Sequence, residues 1–72
     1  MDKICIVTAI GVGTNTTAMA FRKMDDAISY AMGLEGEYDM MYVENVGKNC
    51  RKGFSNRAQC DIEIEIHETE LP

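Results

Sequence analysis

Residues 60–67 read Cys-Asp-Ile-Glu-Ile-Glu-Ile-His, a strict alternation of polar and apolar side chains. Successive side chains of a strand point to opposite faces, so this pattern specifies a β-strand with one face buried and the other in water. Ile62, Ile64 and Ile66 then face a helix. Asp61, Glu63 and Glu65 form a row on the far side, about 6–7 Å apart after two strand steps. Such a row repels itself. It is tolerable in water, and it becomes useful when a partner brings Lys or Arg into register.

The other elements are arranged around that strand. Residues 4–12 are rich in β-branched side chains and read as a first strand. Gly13-Thr14-Asn15-Thr16 is turn chemistry, and Thr17, Met19 and Phe21 then alternate as the returning strand of a hairpin would. A competing pattern is helical, because Ala20, Phe21, Met24, Ala27, Ile28 and Ala31 recur at helical spacing. The hairpin is preferred, since the Gly/Asn turn follows a strand directly. Either way residues 25–32 are helical, with Gly33 placed to end the helix. In the hairpin reading Asp25 and Asp26 occupy the first turn, where the helix dipole favours negative charge. A strand over residues 38–46, a basic loop over 47–57 and the alternating strand complete the chain.

The expected fold is therefore α+β: a ββαββ order forming an antiparallel four-stranded sheet with one helix packed on one face. The alternative is βαββ with one long helix over residues 16–32. If the third and fourth strands pair, Asp39 and Glu44 lie near Asp61, Glu63 and Glu65, and Glu68 extends the acidic face.

Seventy-two residues make a single domain, residues 1–72. A chain of this size removes only about 60% of its unfolded surface from water, which leaves little interior for a large pocket. Hydrophobic residues at 46% and charged ones at 26% fit a folded chain, not a disordered tail. The net charge of −5 argues against general affinity for nucleic acid or anionic membranes. That figure conceals blocks: residues 24–47 carry −6 and 61–72 carry −5, whereas 48–60 carry +4. The apolar stretch 4–12 is too short to span a bilayer and lacks the marks of a secretory signal, so a cytoplasmic location is expected.

Residues able to carry chemistry are few. Lys48, Arg51, Lys52 and Arg57, with Asn49, Phe54 and Asn56 among them, have the composition of a phosphate or single-strand contact. The surrounding acidic segments oppose it, so direct nucleic-acid binding is disfavoured and a solvated loop preferred. The stretch from Gly11 to Thr17 resembles a phosphate-binding loop, but no lysine follows its glycines. It also has some likeness to phosphotransferase-system IIB proteins, yet Thr8 or Ala9 stands where their phosphocysteine would be. Cys5, Cys50 and Cys60 are an odd count without a CxxC pair, and Cys50, Cys60 and His67 match no standard metal spacing. No catalytic residue, metal or cofactor is expected, and the chain reads as a non-enzyme.

The compact order of hairpin, then Phe21-Arg22-Lys23-Met24-Asp25-Asp26-Ala27-Ile28-Ser29-Tyr30-Ala31-Met32 from strand end into helix, then an acidic closing strand, resembles the small inhibitors encoded by bacteriophages. Anti-CRISPR and host-takeover proteins are among them. The likeness is one of architecture over most of the chain, and it carries no functional residue across. It implies stoichiometric binding to a nucleic-acid-processing complex in a bacterial host cell, with the acidic face occupying a site meant for DNA or RNA. The leading expectation is thus a protein partner with a basic surface, met by Asp39, Glu44, Asp61, Glu63, Glu65 and Glu68. A binder of nucleic acid or phosphate through residues 48–57 is the second reading. The third is a structural or homo-oligomeric subunit built by pairing of an exposed first or last strand.

Overall fold

The computed structural model describes residues 2–11 and 17–71. Its elements are β1 (Lys3–Gly11), β2 (Thr17–Phe21), α1 (Met24–Glu37), β3 (Met40–Gly47), β4 (Cys50–Ser55) and β5 (Cys60–Glu70). The α+β class and the hairpin reading hold, since residues 17–21 are strand rather than the start of a long helix. The four-stranded sheet does not. Five antiparallel strands lie in the order β2-β1-β5-β4-β3, because residues 50–55, expected within a basic loop, form a strand between the other two. The expected strands over 38–46 and 60–67 therefore do not pair with each other. The turn expected at residues 13–16 and most of the glycine-bearing stretch after Gly11 lie outside the described residues.

Topology follows from one crossover. The β1–β2 hairpin leaves the chain at one sheet edge, α1 carries it across one face to the other edge, and β3, β4 and β5 return as a meander until β5 pairs with β1. The termini of the described chain thus lie on the central strands, and the edges are β2 and β3. That removes the expected exposure of the first or last strand, since β1 and β5 each have two neighbours. No described helix is long and apolar enough to cross a membrane.

The core lies between α1 and the sheet. Cys5, Val7 and Ala9 of β1 and Ile62 and Ile64 of β5 alternate toward the helix, which answers with Ala27 and Leu34. Phe21 and Tyr30 meet with ring centroids 5.2 Å apart and fix the helix over the hairpin. The helix runs on through Gly33, where termination was expected, and ends at Glu37. Leu34 explains the extension: it falls two turns after Ala27 on the same face and is buried. Burying a leucine is worth about 1.5–3 kcal/mol, more than the roughly 1 kcal/mol that a helical glycine costs. The actual end is made by Tyr38, whose N–H reaches Leu34 O at 2.9 Å, followed by Asp39 at φ 51°.

Candidate functional site

The face of the sheet opposite α1 holds the acidic row, and its composition follows from strand parity. Along β5, Asp61, Glu63, Glu65 and His67 point away from Ile62 and Ile64. Register then sets their neighbours: Ile10, Thr8 and Ile6 of β1 face Glu63, Glu65 and His67, while Phe54, Lys52 and Cys50 of β4 face Asp61, Glu63 and Glu65. One strand further out, Glu44 of β3 faces Lys52. Lys52 therefore stands between two carboxylates, and Glu44, Asp61, Glu63 and Glu65 outnumber it on one surface. Ile10, 55% exposed, flanks the row on its other side.

Beside the Glu65 end of the row, on β4, lies a thiol. Cys50 Sγ donates a hydrogen bond to Glu63 Oε1 at 3.2 Å, and the ligating atoms of Cys50, Glu63 and Glu65 all lie within 4.8 Å of one another. Burial, with the adjoining Glu63 and Glu65 carboxylates, pushes the thiol pKa from 9.0 up to about 12. His67 closes the arrangement: its Nε2 lies 2.9 Å from Glu65 Oε1 and 3.3 Å from Thr8 Oγ1. A thiol held so far up is the reverse of an activated nucleophile.

This thiol has a measurable signature. At neutral pH the shift leaves about a thousandfold less thiolate than an unperturbed cysteine, partly offset by the greater intrinsic nucleophilicity of a high-pKa sulfur. Iodoacetamide is expected to alkylate Cys50 roughly thirtyfold more slowly in the folded chain than in urea, read by peptide mass mapping. Equal rates would show that the carboxylates do not hold the proton. The unfolded thiol ionises near pH 9.0 and the folded one near 12, so the folded state binds more protons in that window and stability falls as pH rises through it.

At the outer edge of the same face, β3 is bulged between Met41 and Glu44. Tyr42 takes φ 56°, a left-handed conformation unusual for an aromatic residue, and is 84% exposed. The bulge turns Val43 inward, where its Cγ2 lies against Gly53, and places Tyr42 beside Glu44, Lys52, Phe54 and Asp61 around a shallow concavity. Nothing in the order of residues 40–47 signals this bulge, so Tyr42 was not among the expected site residues.

The other expected site residues are scattered. Glu68 faces Cys5 in the β1–β5 register and so belongs to the helix side, while Asp39 sits in the turn after α1, where its carboxylate accepts from Asn56 Nδ2 at 3.3 Å. The four bases do not form a loop surface. Lys48 is in the β3–β4 turn and Arg57 in the β4–β5 turn, at opposite ends of a six-residue strand about 20 Å long. Arg51 points to the helix side, where it holds Glu35 through Nε at 2.8 Å and Nη2 at 3.3 Å, and Lys52 lies on the acidic face. Cys60 faces Ser55 on the helix side, so the sheet separates it from Cys50 and His67. Comparison of the chain with protein-family models, with curated proteins and with solved structures finds no match.

Proposed function

We propose that this chain is a small, non-enzymatic binding module that docks a basic protein surface through the open face of its sheet. The supporting observation is the gathering of Glu44, Asp61, Glu63 and Glu65 on one uncovered face with Tyr42 lifted at its rim. Carboxylates supply steering and register, and an exposed aromatic beside them supplies the apolar anchor that such interfaces concentrate their energy in. The spacing of the β5 carboxylates, about 6–7 Å, is of the order of the phosphate spacing in nucleic acid. The partner class this favours is a nucleic-acid-binding surface, and the mode is stoichiometric occlusion, as in an inhibitor of a bacterial nucleic-acid-processing complex acting in the host cytoplasm.

The test is capture from bacterial lysate by the wild-type chain and by a triple Asp61→Lys, Glu63→Lys, Glu65→Lys variant. A true partner is retained by the first, is lost from the second by about a hundredfold or more in affinity, and is displaced by duplex DNA or by salt. A partner bound equally by both chains would sink the acidic-face reading. One displaced by salt but not by DNA would remove the nucleic-acid-site part of it.

A further inference from the structure

We propose that Cys50, Glu63 and Glu65 form a binding site for a divalent transition metal, with Zn²⁺ the best-fitting ion. The argument begins with placement. Cys50 and Glu65 are cross-strand partners on β4 and β5, and Glu63 is the preceding residue of β5 on the same face, so one sheet register brings all three together. Their ligating atoms lie within 4.8 Å of one another, and the thiol already touches Glu63. Ligands around a tetrahedral zinc, with metal–sulfur near 2.3 Å and metal–oxygen near 2.1 Å, stand about 3.4–3.6 Å apart. Closing the observed triangle onto an ion thus takes side-chain rotation on two rigid, paired strands and no backbone movement.

The donor types select the ion. Calcium and magnesium take oxygen ligands, whereas one sulfur with two carboxylates suits a borderline ion such as Zn²⁺. His67, in contact with Glu65 Oε1, holds that carboxylate in place, as groups behind a metal ligand do. The fourth position faces solvent and takes water.

Electrostatics act in the same direction. The Glu63 and Glu65 carboxylates gathered beside the thiol would be neutralised by a cation, and the ion replaces the thiol proton: Cys50–SH and M²⁺ give a Cys50 thiolate–metal bond and one released H⁺. No electron changes hands. The site acts in the isolated chain, and so stands independently of the docking reading. Occupancy would nevertheless reduce the negative charge of the face by one unit.

Titration of the reduced chain with Co²⁺ alone tests this. The expected result is a thiolate-to-cobalt charge-transfer band that saturates at one ion per chain and is abolished by excess Zn²⁺. Affinity is expected to rise about tenfold per pH unit, as one proton is released. Cys50→Ser should remove the band, Glu63→Gln and Glu65→Gln should each weaken binding tenfold or more, and Cys60→Ser should leave it unchanged. His67→Ala should weaken it less than either glutamate change. Circular dichroism shows whether each variant is folded, and the exposed Glu63 variant keeps the test decisive if Cys50→Ser is not. Absence of a band at millimolar Co²⁺, a band that survives Cys50→Ser, or one lost with Cys60→Ser would overturn the assignment.

Discussion

Replacing Ile62 with alanine is expected to destabilise the chain by about 4–5 kcal/mol, the upper end of the range for such truncations. Ile62 is 1% exposed, and its inward neighbours on both flanking strands are glycines: Gly11 on β1 and Gly53 on β4. Neither of these two neighbours has a side chain that can move into the space left behind, so collapse of the flanking positions does not relieve the cost. A chain of 72 residues has a total stability of about 4–11 kcal/mol at ordinary values per residue. The variant should therefore lose from about a third to all of its stability. Urea titration followed by circular dichroism is expected to show a midpoint near zero denaturant or a Tm about 16–40 °C lower. Ile10→Ala serves as the control, because Ile10 is on the open face and 55% exposed. It should cost under about 1 kcal/mol. Similar losses at the two positions would mean that Ile62 does not sit where β5 parity places it.

The contrast between β5 and β4 shows what a sequence of this kind reveals about its fold. β5 is legible because both of its faces carry a signal, isoleucine inward and carboxylate outward. β4 is not, because none of its helix-side residues is a large apolar one. Arg51 reaches out to Glu35, Gly53 leaves room for Val43, and Ser55 is fully buried to donate to Tyr38 O at 2.6 Å and accept from Ala58 N at 2.9 Å. Each is set by a tertiary partner distant in sequence, so no local period survives and the segment looks like a polar loop.

The candidate site divides in the same way. Asp61, Glu63 and Glu65 follow from the period of two, whereas Glu68, expected on the same face, falls on the other one because it lies an odd number of residues along the strand from them. Cys50 joins them only through the β4–β5 register, and Tyr42 only through a bulge, neither of which has a local sequence cause.

Gly53→Ala and Gly33→Ala should move stability in opposite directions, although both replace glycine with the same residue. A Cβ at Gly53 would lie 2.9 Å from Met41 O and 2.9 Å from Val43 Cγ2, with Met40 Cε at 3.2 Å. The methionine tip can move, but the Met41 carbonyl belongs to the backbone of the paired edge strand, and Val43 is held by the bulge. β3 must therefore shift outward. The expected cost is about 2–3 kcal/mol, as for an extra methyl forced into a packed site, and it exceeds the few tenths gained from strand propensity. Hydrogen exchange should quicken in β3 while the nine registered positions of the β1–β5 pair stay protected. Gly33, by contrast, has nothing within 4 Å of its would-be Cβ and sits within α1, so alanine there is expected to stabilise by about 0.5–1 kcal/mol. If Gly53→Ala left both the urea midpoint and β3 exchange unchanged, the bulge that turns Val43 inward and Tyr42 outward would not exist in solution. The docking face would then lose its aromatic rim while keeping its carboxylates.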